Sequence, residues 1–194
     1  RVTSHYRLNA ASHEIAVAFD ASHGPDPWGG GALLPGEFAP TITRSQKTGQ
    51  RFIRPIVWGY PAPGADGISP SGEVRWVPNV RNVESPFWIG NLRHGELRCI
   101  VPATTFMLRG KGKAHWFALA DQPVFAMAGI WRDLTDMPVF AIVTTEASGL
   151  AREAGAGAMP VILDADQIDR WLRADWKEAQ QLIAPYAGAL TPCV

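Results

Sequence analysis

Strand-type segments follow one another from residue 38 to residue 146, and this succession limits the possible folds more than any other feature of the chain. Each segment shows period-two alternation or enrichment in β-branched and aromatic residues. The pattern predicts strands over residues 38–44, 51–60, 73–80, 98–106, 114–120, 123–131 and 138–146. Two connectors, RGKGKA at 109–114 and ADQP at 120–123, are typical of hairpins. Consecutive strands with no long helix between them predict a β-rich, barrel-like sheet.

Before the strand region, the segment NAASHEIAVAFD at 9–20 predicts a short helix that Asn9 or Ser12 caps. The stretches that follow at 22–40 and 61–72 are rich in glycine and proline. Such composition predicts loops or irregular segments rather than regular elements.

After residue 146 the pattern becomes helical. A weak helix is predicted near 147–158, an amphipathic helix capped by Asp164 at 164–175, and a further helix that Pro185 ends. The tail after residue 186 is expected to fray. The predicted fold class is therefore α+β, a β-rich barrel-like central sheet with peripheral helices, forming one domain over residues 1–194.

Charge is distributed unevenly along the chain, although its formal net charge is zero. Residues 1–132 hold 14 basic and 9 acidic side chains, whereas residues 133–194 hold 4 and 9. A basic face formed by the first part would suit a phosphate backbone. An ordinary mixed surface is the open alternative.

Cysteine and histidine usage gives no sign of a disulfide framework or a zinc site. The two cysteines are Cys99, in a predicted strand, and Cys193, and the five histidines are scattered. Cys99 fits an inert core thiol better than a substitute nucleophile. No apolar run is long enough to cross a membrane. We therefore expect a soluble cytoplasmic protein without metal or cofactor.

Common hydrolase and nucleotide-binding signatures are also missing. The chain has no G-x-S-x-G elbow and no phosphate-binding glycine loop. The sequence therefore gives little support to a hydrolase of an unrelated class.

Several segments combine a buried-strand pattern with polar residues that a strand core does not need. In this order and at this spacing they resemble the SOS-response-associated peptidase (SRAP) family. The resemblance extends from about Ser4 to about Pro185. It is carried by SHYRL at 4–8, WG at 58–59, NVRNVESPFW at 79–88, RCIVPATTF at 98–106, AGIW within FAMAGIWR at 125–132, TTEAS at 144–148 and AMPVIL at 158–163.

The resemblance implies a SRAP-like fold and a protein that senses abasic sites in single-stranded DNA. In the family, the α-amine of an N-terminal cysteine condenses with the deoxyribose aldehyde to a Schiff base. The cysteine thiol then closes a thiazolidine ring, which leaves a covalent cross-link. An asparagine positions the intermediate, while a glutamate and a histidine move protons.

Matching the family residue by residue places Thr3 at the cysteine, behind Arg1 and Val2. Asn79 matches the positioning asparagine, and Arg81 matches an arginine that contacts DNA. The resemblance thus implies Thr3 and Asn79 as the catalytic positions and Arg81 as a DNA-binding residue. A structural turn network is the alternative role for Asn79 and Arg81.

The two proton-transfer positions are occupied by residues without titratable groups. The family's glutamate falls on Leu108, and its histidine falls on Gly155 or Ala156. We therefore expect the covalent chemistry to be impaired, with single-stranded DNA carrying abasic sites as the implied partner.

Three further residues are candidates for DNA contact: His5, Trp58 and Thr145. His5 lies where the family often has a DNA-contacting residue. Trp58 either wedges against a base or belongs to the core. Thr145, with Thr144, offers a hydroxyl or amide to phosphate, or caps the end of a strand. Further basic residues would line a groove if alternation places them on one face: Arg51, Arg54, Arg75, Arg98, Lys111 and Lys113.

Three functions fit these observations. The first is a DNA-binding SRAP-like protein that has lost cross-linking. The second is an enzyme that acts on abasic DNA by an altered route, with Thr3 exposed by proteolysis or a lysine-type Schiff base. The third is a non-catalytic scaffold or interaction protein on the same fold. The sequence leaves the oligomeric state open.

Overall fold

Most of the chain forms strands in the computed structural model, which describes residues 3–25, 28–64, 70–135 and 137–194. The strands in these ranges are β1 (Tyr6–Leu8), β2 (Ala21–His23), β3 (Gly31–Leu33), β4 (Phe38–Arg44), β5 (Arg51–Trp58), β6 (Tyr60–Pro61), β7 (Trp76–Val77), β8 (Asn79–Val80), β9 (Arg98–Ala103), β10 (Thr105–Gly110), β11 (Lys113–Leu119), β12 (Phe125–Leu134), β13 (Met137–Glu146), β14 (Ala158–Pro160), β15 (Ile162–Leu163) and β16 (Leu190–Cys193).

The helices are short and lie at the periphery. They are α1 (Ser12–Phe19), α2 (Pro86–Arg93), α3 (Gly149–Glu153), α4 (Ala165–Arg173) and α5 (Trp176–Ala179), with 3-10 turns at Gly95–Leu97 and Gln180–Leu182. The sequence predicts α4 and its N-cap Asp164 correctly: the Asp164 N–H donates to the side chain of Gln167 over 2.9 Å.

A closed barrel of five strands forms the centre of the molecule. The strands β13, β12, β9, β4 and β5 are neighbours in that order, and β5 then pairs with β13 in parallel to close the ring. Every residue of β9 is buried, as expected for a strand with covered faces. The α+β class with a barrel-like sheet is therefore confirmed.

A second sheet packs against this barrel, with the strand order β16-β11-β10-β1-β3. The chain passes from barrel to second sheet between β9 and β10, where the Thr104 N–H donates to the Arg7 carbonyl over 2.8 Å. The inner face of the second sheet carries buried Tyr6, Phe106 and Phe117. The Tyr6 ring meets the Trp58 ring edge-on at 4.9 Å, which joins the two layers.

Helix α4 covers the barrel through one buried tryptophan. The Trp171 indole N–H donates to the Cys99 carbonyl over 3.0 Å and to the Gly129 carbonyl over 3.2 Å. Gly129 is required here, because a Cβ at this position would lie 2.9 Å from the Cys99 sulfur. Close strand packing in the barrel thus depends on this glycine.

Several local expectations are wrong. The stretch 22–40 contains β3 and parts of β2 and β4, and the 120–123 connector joins strands of different sheets rather than a hairpin. Only two short strands, β7 and β8, form within 73–80. The tail is not frayed, since β16 pairs with β11.

Cap and loop expectations near the N-terminal part also need correction. The N-cap of α1 is Ala11, whose N–H donates to the Glu14 carboxylate over 2.7 Å, so neither Asn9 nor Ser12 caps the helix. The sequence pattern does not predict helix α2.

Within the irregular 61–72 stretch, residues 65–69 lie outside the described ranges, as do Arg1 and Val2.

Candidate functional site

Thr3 and Asn79 meet in the structure. The Asn79 side-chain amide donates a hydrogen bond of 2.6 Å to the Thr3 carbonyl oxygen, and both residues are buried. The Asn79 Oδ1 and Thr3 Oγ1 atoms are buried as well, with no hydrogen-bond partner among the described residues. Unpaired buried polar atoms are rare and costly, so this pair marks a site whose polarity the fold alone does not explain.

The position of Asn79 is fixed by the seam between β8 and β13. The two strands run parallel, with Asn79 opposite Ile142. The Ile142 N–H donates to the Pro78 carbonyl over 2.9 Å, and the Thr144 hydroxyl donates to the Val80 carbonyl over 2.7 Å. Main-chain and side-chain bonds on both sides therefore hold the amide of Asn79 in place.

The Thr144 hydroxyl is thus engaged within the fold. Thr145 is half-buried and lies opposite Met159 of β14. The strand-end role that the sequence allowed fits Thr144, whereas phosphate contact by Thr145 stays a prediction.

Arg81 follows directly after β8 and is exposed. None of the ion pairs within the described ranges involves Arg81. The buried Asn79 amide and the exposed Arg81 guanidinium therefore lie at the end of β8. Such a pair is suited to binding a ligand that has an anionic backbone and polar groups.

His5 is half-buried on the segment that joins Thr3 to β1. Its Nδ1 lies 3.1 Å from the Ser4 hydroxyl, and its carbonyl accepts a bond of 3.0 Å from the Met107 N–H. The main chain at His5 is thus paired to β10, while its ring lies at the surface.

Trp58 is not a base-stacking residue in this structure, and that expectation is corrected. The side chain is fully buried, its indole N–H donates to the Pro78 carbonyl over 3.0 Å, and its ring stacks on Phe140 with centroids 6.5 Å apart. The core alternative is therefore the right one, because no ring face is open to a nucleobase.

The residues that the family resemblance matches to the proton-transfer positions, Leu108 and either Gly155 or Ala156, carry no titratable group. Leu108 is fully buried on β10, and Ala156 is buried in the loop after α3. The end of β10 packs directly on this loop: a Cβ at Gly110 would lie 2.1 Å from the Ala154 carbonyl oxygen. Neither aliphatic side chain can move a proton.

The predicted basic groove does not form as a set. Arg98 is buried and bonds to the carbonyls of Ala174 and Leu92, and burial lowers its pKa. Arg51 pairs with Asp169 at 3.5 Å. Arg54 lies over the Trp131 ring at 4.7 Å. Arg51, Arg54 and Arg98 are thus engaged at separate places, and a groove formed by some of the six basic residues stays a prediction.

Cys99 is an inert core thiol, as favoured above. Its side chain is fully buried, and burial raises the pKa of the thiol well above its usual value. Separately, no helix within the described ranges is long and apolar enough to cross a bilayer.

Solved structures share this fold over almost the full chain. A protein from Bordetella bronchiseptica is 19% identical, with a TM-score of 0.76, and the match covers 98% of this chain and 99% of that one. A protein from Bacteroides thetaiotaomicron is 21% identical, with a TM-score of 0.72, covering 94% and 87%. A phage-related protein from B. bronchiseptica is 17% identical, with a TM-score of 0.65, covering 98% and 93%.

The chain therefore shares its fold with these solved proteins, and a comparison of its sequence with family models identifies the family. The family model described as SOS response associated peptidase (SRAP) matches residues 3–193. This chain belongs to the SRAP family. No curated protein sequence matches it.

Proposed function

We propose that this SRAP protein binds single-stranded DNA non-covalently at the Asn79–Arg81 site, with abasic positions as its preferred target in the DNA damage response. The contact between the Asn79 amide and the Thr3 carbonyl, at 2.6 Å, carries the proposal. It brings together the position where the family holds its nucleophile and the asparagine that faces it.

The polarity of the site supports a nucleic-acid backbone as the ligand. Asn79 Oδ1 accepts and Thr3 Oγ1 both donates and accepts hydrogen bonds, and both atoms are buried without a protein partner in the described ranges. An abasic deoxyribose presents hydroxyl and aldehyde oxygens and a flanking phosphate. The exposed Arg81 guanidinium suits that phosphate.

The loss of covalent chemistry is supported by three positions. The Thr3 hydroxyl is a much weaker nucleophile than a thiolate at neutral pH. By the family resemblance, Leu108 occupies the position of the family's glutamate, and Gly155 or Ala156 occupies that of its histidine. A site that keeps its binding residues and lacks its reactive groups is suited to recognition without cross-linking.

Binding is tested by fluorescence anisotropy with labelled single strands that carry one abasic site or none. The expected result is affinity that falls with salt, by a logarithmic slope of about 0.7 per phosphate contact. Arg81→Gln is expected to lower that slope by about one contact. Lys177→Gln, which removes an exposed cation on α5, is the matched control. Binding that does not respond to Arg81→Gln would contradict the proposal.

A further inference from the structure

The second sheet has an outer face that does not belong to the hydrophobic core. Along β10, Phe106 and Leu108 belong to the main core cluster, whereas Met107 lies outside that cluster although it is itself buried. Side chains alternate between the two faces of a strand, so Met107 and Arg109 share the other face. Trp116 of β11 is likewise outside the core cluster and half-buried.

Strand register brings particular residues together on this face. Met107 is directly opposite Trp116, and directly opposed residues share one face of a sheet. The Met107 N–H also bonds to the His5 carbonyl, and Arg7 lies opposite Thr105. We call this surface the outer sheet face; its exposed and half-buried members are His5, Arg7, Arg109 and Trp116.

The charge of the second sheet is one-sided. Its strands carry the basic residues Arg7, Arg109 and Lys113 and no aspartate or glutamate. The chain as a whole has equal numbers of basic and acidic residues, 18 of each. Glu153 of α3 lines the hollow beside Trp116, so the strands themselves supply positive charge and the neighbouring helix supplies one carboxylate. The excess of positive charge on the strands is complementary to an anionic partner.

An arginine and an aromatic ring are already stacked on this face. The Arg7 guanidinium lies 4.0 Å from the centroid of the Trp116 ring and donates a bond of 2.8 Å to the Val194 carbonyl. No carboxylate pairs with Arg7 among the ion pairs of the described ranges. The stack places an arginine beside a partly exposed indole, and positive side chains next to aromatic rings are common in sites that bind single-stranded nucleic acid.

We propose that the outer sheet face binds single-stranded nucleic acid, with Trp116 stacking on a base and Arg7 and Arg109 contacting phosphates. The inference rests on the proposed function and extends it. His5 belongs to this face and lies close in sequence to Thr3, whose carbonyl holds Asn79. The segment from Thr3 to Arg7 therefore connects the residue bonded to Asn79 with the outer sheet face.

The test uses fluorescein-labelled oligothymidylate of 20 nucleotides and the full chain. Trp116→Ala is expected to weaken binding about tenfold, since one base stack is lost. Trp116→Phe keeps an aromatic surface and should recover most of the affinity. Arg109→Gln should lower the salt slope by about 0.7, and Lys177→Gln should change neither quantity. Circular dichroism of each variant checks that the fold is kept, as expected for side chains outside the core.

The outcomes separate this inference from the proposed function. If Arg81→Gln weakens binding while Trp116→Ala and Arg109→Gln bind like the unmodified protein, DNA binding by the outer sheet face is refuted and the proposed function is supported. If only Trp116→Ala and Arg109→Gln weaken binding, DNA binding by the outer sheet face is supported and binding at the Asn79–Arg81 site is refuted. Absence of any binding overturns both. Equal competition by polyglutamate at matched charge overturns the stacking role, because a protein-like polyanion has no bases.

Discussion

The side-chain amide of Asn79 holds the main chain at Thr3 through a hydrogen bond of 2.6 Å, although 76 residues separate the two in sequence. The bond ties the segment before β1 to the barrel seam at β8. It also joins the two residues that the family resemblance matches to a nucleophile and a positioning amide. The proposed recognition of DNA depends on this geometry being part of the stable fold.

Removing the Asn79 amide should therefore cost stability as well as binding. Asn79→Ala leaves the buried Thr3 carbonyl unpaired, and such a loss costs about 1–3 kcal/mol. Urea denaturation measures the free energy of unfolding. Asn82→Ala is the control, because Asn82 is exposed and its side-chain oxygen accepts a local turn bond from the Glu84 N–H. Equal stability of Asn79→Ala and Asn82→Ala would contradict the structural role of the bond.

Trp58 should affect folding and leave DNA affinity unchanged. Trp58→Phe keeps a ring against Phe140 but removes the N–H that bonds to the Pro78 carbonyl, a loss of about 1–3 kcal/mol. Trp58→Ala should cost about 3–5 kcal/mol. Thermal melts rank the variants, and anisotropy is measured on Trp58→Phe. A folded Trp58→Phe protein with strongly reduced affinity for DNA would contradict this prediction and would indicate that Trp58 contacts DNA.

The two cysteines should differ in reactivity. Burial raises the pKa of the Cys99 thiol well above its usual value; burial also raises the pKa of Cys193, which nearby Arg7 partly offsets. Because the thiolate is the reactive form, a disulfide reagent at mildly alkaline pH should modify Cys193 in the native protein and Cys99 only after unfolding. Cys193→Ser should abolish the native reaction. Rapid labelling of Cys99 in that variant would contradict its burial.

Arg98 should contribute strongly to the stability of the fold, although none of the described carboxylates forms an ion pair with it. Its guanidinium donates to the carbonyl of Leu92 in α2 over 3.5 Å and to that of Ala174, the C-cap of α4. Arg98→Met should destabilise the protein by about 2–4 kcal/mol, because helix-end carbonyls lose their donor. Urea titration checks this, with exposed Arg93→Met as the control. Equal effects of the two changes would contradict the capping role.

Periodicity was enough to predict the long elements. Strands β4 and β13 and helix α4 carry clear patterns, and all three form close to the predicted bounds. The short strands β1 and β16 hold three and four residues, too few for a periodic signal, and they are stabilised by pairing with distant β10 and β11. Non-local pairing of this kind cannot be derived from local propensity.

The site was less predictable than the fold. Thr3 and Asn79 were paired in advance only through the family resemblance, since no local pattern links them. Trp58 illustrates the limit: the same tryptophan suits a stacking surface or a core, and only its burial decides between them. The contact between Arg7 and Trp116 cannot be predicted from the sequence, because it depends on strand register and not on sequence proximity.

The central claim, recognition without covalent attachment, is tested most directly by one binding reaction divided between a native and a denaturing gel. The reaction contains the protein and a labelled single strand with one abasic site. The prediction is a retarded band on the native gel that disappears on the denaturing gel. A band that survives denaturation and requires the abasic site, or no retarded band on either gel, would contradict the account.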